Sequence, residues 1–185
     1  MGLFDLFKKN PNGFDYENFE KKLLIAIEEC VKHKWSNVDN LYIISIEYFP
    51  NFTTFVSVKA NTYSNLKEKV GENEKDYIYY KYCEEEWELC EFLGEVSKDL
   101  QSKYKEMETV YEDEQFDELQ EEHAVKIFIS CKNVMKKFKQ TDTYKKLSSP
   151  HLNVYMREHF SKNEMIQTFC ELNGEDYKEE YSKWL

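Results

Sequence analysis

Residues 41–60 read LYIISIEYFPNFTTFVSVKA, and no other stretch limits the fold so tightly. Isoleucine, tyrosine and phenylalanine dominate Leu41–Phe49. β-Branched and aromatic side chains lose rotamer freedom in a helix and pack well on a pleated surface. Tyr42, Ile44, Ile46 and Tyr48 fall on one face at the two-residue period of a strand. Pro50-Asn51 interrupts the run, and Phe52–Ala60 resumes it with Thr54, Val56, Val58 and Ala60 alternating. Two such runs around a short Pro-Asn connection predict an antiparallel hairpin.

Helical periods surround the hairpin. Phe19, Leu23, Ile27, Cys30 and Val31 recur at helical spacing, predicting a first helix over Tyr16–His33. Asp15 can cap it, and Phe14 with Phe19 has the spacing of a hydrophobic staple. After the hairpin, Thr62 or Ser64 can start a short helix that ends near Gly71. Tyr77–Cys83, YIYYKYC, reads as a third strand. Phe92, Val96, Leu100 and Tyr104 predict a helix over Glu91–Glu108. Glu112–Lys139 holds the longest helical pattern, with acids at its start and lysines at its end, as the helix dipole favours. The β-branched residues of Val125–Ile129 leave a strand as the alternative there. Leu152, Val154 and Met156 alternate in a fourth strand, and Ser161 with Glu164 forms a capping box for the next helix. A last short helix reaches Trp184. The order α-β-β-α-β-α-α-β-α predicts one α+β domain over residues 13–185, with an antiparallel-rich sheet of four strands covered by helices.

Residues 1–12 stand apart as a leader, divided from the domain by Asn10-Pro-Asn-Gly13. The leader opens MGLFDLFKK, which lacks the apolar core of a secretory signal. Leu3, Phe4, Leu6 and Phe7 with Lys8 and Lys9 make one amphipathic turn, suited to docking on its own domain or to touching a membrane surface. The five cysteines, at 30, 83, 90, 131 and 170, include no CxxC pair. They read as buried thiols in a reducing cytoplasm.

Charge narrows the choice of partners. The chain of 185 residues carries 36 acids and 25 lysines and arginines, a net charge of −11. Glu84–Glu122 alone holds sixteen acids and three lysines, so this segment accounts for the whole excess. Such a molecule disfavours nucleic acid, whose phosphates need a positive face. Fourteen tyrosines, thirteen phenylalanines and three tryptophans set it apart from a disordered chain. No window approaches the roughly 20 apolar residues of a membrane-spanning helix.

No motif names a reaction. The five glycines never cluster into a phosphate-binding loop or dinucleotide fingerprint, and the histidines at 33, 123, 151 and 159 form no HExxH. No catalytic residue, metal ligand or cofactor is assigned. Arg157 is the sole arginine, a geometry suited to a carboxylate. The run Glu84, Glu85, Glu86, Trp87, Glu88 supports two readings. In one, it is a carboxylate site beside an aromatic platform, for a metal, a sugar or a basic partner. In the other, the acids decorate a helix start while Trp87 plugs the core.

The hairpin ending in Ala60-Asn61-Thr62, the run YIYYKYCEEEW, the late LNVYMRE and the closing Glu171-Leu172-Asn173 resemble domain-of-unknown-function family 4303, a mainly bacterial family. The likeness spans residues 15–185, with Thr141–Lys146 in place of the family's glycine-containing turn. It implies a compact α+β cytoplasmic protein, similar in size and acidity to small immunity proteins that neutralise toxins. It supplies no catalytic residue.

Together these features point to a non-enzymatic cytoplasmic binding protein. Its acidic face, with Glu84, Glu85, Glu86, Trp87, Glu88, Glu118 and Glu121, would meet a basic protein partner. A carboxylate-based metal-dependent hydrolase and a membrane-surface adaptor using the leader stay open as alternatives.

Overall fold

Asp15 caps the first helix, α1 (Tyr16–Glu29), accepting a hydrogen bond from the Asn18 backbone N–H at 2.9 Å. The computed structural model describes residues 13–49, 55–71, 74–156 and 160–185. The leader, the connection at 50–54 and the Arg157–His159 segment lie outside the described residues. The Phe14 and Phe19 rings approach to 5.9 Å between centroids, the expected staple. A π-helical turn, Cys30–Lys34, completes the element and buries Cys30 and Val31.

The hairpin forms as its pattern predicts. β1 (Leu41–Phe49) runs antiparallel to β2 (Phe55–Thr62), with Ile46 opposite Val58 and Phe49 opposite Phe55. One detail differs. The register shifts between Leu41 and Ile43. Tyr42 and Ile43 both enter the core on one face of the sheet, while Leu41, Ile44, Ile46 and Tyr48 enter the core on the other. Strict alternation cannot survive such an irregularity, so Tyr42 leaves the face expected for it.

Thr62 caps α2 (Tyr63–Val70), and Gly71 ends it at φ 56°, a conformation glycine adopts without penalty. The expected third strand is instead a helix, α3 (Tyr77–Tyr82). Helical spacing brings the Lys81 ammonium to 5.4 Å from the centre of the Tyr77 ring and sends Tyr82 fully inside. A short tyrosine-rich run carries a β preference that packing readily overrides. The strand place is taken by β3 (Leu89–Phe92), where a helix was expected to begin. Four residues with two charges nearby carry little pattern; pairing with β2, Lys59 opposite Cys90, makes them a strand.

α4 (Gly94–Val110) and α5 (Asp113–Phe138) form a helical hairpin. α5 is helical throughout, so Val125–Ile129 is not a strand. Thr141 caps a single turn, α6 (Asp142–Lys145). β4 (His151–Tyr155) joins β1 in parallel, giving the order β3-β2-β1-β4. The sheet is therefore mixed, with two antiparallel pairings and one parallel one. The Ser161–Glu164 capping box starts α7 (Lys162–Asn173), and α8 (Lys178–Trp184) closes the chain.

Helices cover both faces. On the first, Phe19, Leu23 and Ile27 of α1, Leu100 of α4, and Ile127 and Cys131 of α5 pack on Ile44, Val58 and Val154. On the second, Leu66, Tyr82, Phe169 and Tyr181 of α2, α3, α7 and α8 pack on Tyr42 and Ile43. No helix among the described residues is long and apolar enough to cross a membrane.

Candidate functional site

The second face of the sheet is polar at its centre. Register lines up Cys90, Lys59, Ser45 and Asn153 across the four strands, and one step on Phe92, Ser57, Glu47 and Tyr155. Glu47 is 4% exposed and pairs with the Lys59 ammonium at 2.8 Å, while the Ser57 hydroxyl donates to it at 3.2 Å. Glu84, in the turn after α3, lies over this layer at 3% exposure. The Asn153 amide donates to its Oε1 at 2.9 Å, and the Tyr181 hydroxyl donates to the Asn153 oxygen at 3.4 Å. Burial pushes the Glu84 carboxyl up to about 8, and the nearby Glu47 charge adds to the effect. Glu84 is consequently a neutral acid at pH 7, a hydrogen-bonded piece of the interior.

Its neighbours are also committed to structure. Trp87 is 7% exposed and packs with Leu66 and Tyr82; its indole N–H has no acceptor among the described residues. Glu86 pairs with Lys69 at 3.2 Å, and Glu88 accepts from the Thr62 hydroxyl, the same group that caps α2. Glu85 is exposed. The expectation of Glu84 and Trp87 on a binding surface is thus corrected. A carboxylate and an indole following an amphipathic helix turn inward, as the alternative reading of this run held for Trp87.

Glu118 and Glu121 are exposed, on the N-terminal half of α5. The Glu84–Glu88 run belongs to the second face and α5 to the first, so the acids do not form one continuous face. β3 separates them, and a strand was not expected there. The remaining acidic surface is the α4–α5 tip. Residues 106–122 carry nine acids and no lysine or arginine. Eight of these, all but Glu122, are exposed. Tyr104 and Phe116 hold the two helices together edge to face at 5.3 Å. Val110, at the tip, is 66% exposed.

At the base of this hairpin lies a cleft of about 300 Å³ lined by Phe14, Asp15, Asn18, Asp99, Lys103 and Glu106. Lys103 pairs with Glu106 at 2.7 Å, and Lys22 with Asp99 at 2.6 Å. Behind it, His123 of α5 shares a 2.7 Å hydrogen bond with the Tyr16 hydroxyl. Burial, with Lys103 and Lys126 nearby, holds this imidazole down at about 4, so it is neutral. His151 is likewise held at about 4 by burial, against Tyr177 and Phe169. Arg157 and His159 lie outside the described residues.

The lysines near the end of α5 meet acids. Lys132 and Lys136 reach Glu171 at 3.0 Å, and Lys137 reaches Glu20 at 2.6 Å. Among the described residues no three histidine, cysteine, aspartate or glutamate side chains come together as a metal centre. Sequence reasoning missed Glu47, Lys59 and Asn153. The available signal was the charge at Glu47 and Lys59 within otherwise apolar strand runs, on the face opposite Ile46 and Val58.

A family model described as a domain of unknown function, DUF4303, matches residues 16–174, and the chain belongs to that family. No curated protein and no solved structure matches it.

Proposed function

We propose, with membership of an uncharacterised family as the starting point, that this protein is a non-enzymatic cytoplasmic binding protein of immunity type. It meets a basic protein partner through the α4–α5 tip. The observation that carries the reading is the concentration of exposed acids between Glu106 and Glu121 with no basic residue among them. Like charges held so close repel and cost the compact state stability. Helix dipoles offset this at Asp113 and Glu114, in the first turn of α5, but not at Glu118 and Glu121 further along. A cationic partner relieves the repulsion and is steered toward it over a Debye length of about 8 Å at physiological salt. Val110 supplies the apolar anchor at the centre of the patch, in place of the buried Trp87.

The test replaces Glu112, Glu114, Glu118 and Glu121 with glutamine together. Wild type should capture a basic protein from the source cell with an association rate that falls steeply between about 50 and 300 mM salt. The variant should lose that capture while keeping its circular dichroism spectrum. Equal capture at an equal rate would leave the tip as solvated surface and end this reading.

A further inference from the structure

β3 stands at an edge of the sheet, and its outer side is open. In the order β3-β2-β1-β4 it pairs with β2 alone. The Leu93 N–H donates to the Val56 carbonyl at 3.0 Å. Alternation along an antiparallel ladder then turns the main-chain groups of Leu89 and Glu91 toward β2, and those of Cys90 and Phe92 away from it. The outward N–H and C=O groups of Cys90 and Phe92 have no main-chain partner among the described residues. The opposite edge is treated differently. There the Asn173 side chain accepts from the Leu152 N–H at 2.8 Å and donates to the Leu152 carbonyl at 2.7 Å, closing β4 at that point.

Side chains extend the open edge. Cys90 is exposed, and Phe92 is 55% exposed. Both stand on the second face of the sheet, where Phe49, Phe55 and Phe92 form an aromatic row with centroids 4.6 and 5.2 Å apart. The charge around the edge is negative. Residues 84–95 hold six acids and no basic residue, and Glu88 and Glu95 are exposed on either side of β3. Lys59, opposite Cys90, is held by Glu47 at 2.8 Å. Glu91 pairs with Lys34 on the first face, a partly exposed contact of the kind that contributes little.

We propose that β3 receives an extended, basic segment of a partner protein as a fifth strand of the sheet. The guest exchanges main-chain hydrogen bonds with Cys90 and Phe92. Its apolar side chains opposite these two residues continue the aromatic row, and a lysine or arginine between them lies beside Glu91. A second copy of this chain is the poorer guest. Antiparallel pairing about a two-fold axis sets Cys90 of one copy opposite Phe92 of the other. It also sets the two Glu91 side chains opposite each other, a like-charge contact between chains of net charge −11. α4, about 25 Å long, separates this edge from the acidic tip, so the proposal stands without the function proposed above.

The probe is an end-capped heptapeptide alternating valine and lysine, titrated into the full chain. In the free protein the Cys90 and Phe92 amides should exchange rapidly with deuterium while those of Glu91 and Leu93 are protected. Saturating peptide should protect Cys90 and Phe92. The same peptide N-methylated at its valines should bind about tenfold more weakly, as expected for losing a main-chain hydrogen bond or two. Cys90→Pro removes one outward donor and should weaken the unmodified peptide similarly while keeping the circular dichroism spectrum. Equal affinity for the methylated and unmodified peptides would reduce the edge to a charged surface and overturn the proposal. No binding at millimolar peptide would overturn it too. A peptide that moves the Glu114 and Glu118 signals and leaves Cys90 and Phe92 exchange unchanged would overturn the edge and favour the acidic tip. Slow exchange at Cys90 and Phe92 without peptide, with a dimer in sedimentation, would put a second copy on the edge and overturn the basic guest.

Discussion

Asn153 holds the carboxyl of Glu84 at 2.9 Å, tying β4 to the turn that follows α3 across the polar centre of the sheet. Asn153 also accepts from Tyr181, so one amide joins a strand, a turn and the last helix. Burial above all, with Glu47 nearby as a lesser cause, keeps the Glu84 carboxyl uncharged.

A pH dependence follows from this. Glu84 has a folded-state value near 8 against an ordinary 4.5. The folded protein therefore holds a proton that the unfolded chain releases first. Its contribution is complete below about pH 4.5, erodes as pH rises toward 8 and is constant beyond. Glu84→Gln keeps an acceptor for Asn153 and removes the proton. It should raise stability by on the order of 3 kcal/mol at pH 7 and by much less at pH 5. Urea denaturation of both proteins at the two pH values measures this; parallel pH profiles would contradict it.

The last helix is clasped by charge. Glu180 accepts from the buried Lys81 at 2.5 Å and from the Tyr82 hydroxyl. Glu180→Ala leaves an ammonium and a phenol buried without that acceptor, at a cost of about 1–3 kcal/mol. Adding Lys81→Met to it should recover part of the loss. A double-mutant cycle by urea denaturation reads both effects, and additive losses would show the clasp to be unimportant.

Core truncations set the scale for the first face. Leu23 is fully buried and Phe128 is 5% exposed, both inside the larger core. Leu23→Ala or Phe128→Ala should each cost about 2–5 kcal/mol by opening a cavity. A loss under about 1 kcal/mol for either would mean that the site collapses around the gap.

The Ser161 cap offers a local check. Its hydroxyl accepts from the Glu164 backbone N–H, and the Glu164 carboxylate accepts from the Ser161 backbone N–H at 2.9 Å. Ser161→Ala should destabilise by about 1 kcal/mol. The downward shift of the Glu164 carboxyl, caused by its hydrogen bonds from Ser161, should shrink in the same variant, which a carboxyl NMR titration would detect.

The sequence by itself determined the elements whose signals are local. The Asp15 and Ser161 caps, the hairpin, the Thr62–Gly71 helix and the long amphipathic α5 are each written within a few consecutive residues, and all of them stand in the structure. Only the tertiary structure decided the rest. YIYYKYC became a helix because Tyr82 has a buried place beside Phe169 and Tyr181, 5.6 and 5.1 Å away between ring centroids. Leu89–Phe92 became a strand because β2 offered it an edge. Acids that are neighbours in the chain predict one face, yet β3 separates the Glu84 turn from the helical hairpin. Burial then turned Glu84 inward and joined it to Glu47, Lys59 and Asn153, residues between 25 and 69 positions away in sequence. Side-chain periodicity reports which face a residue occupies within its own element. Which elements share a face depends on long-range pairing, whose free energy no short window contains.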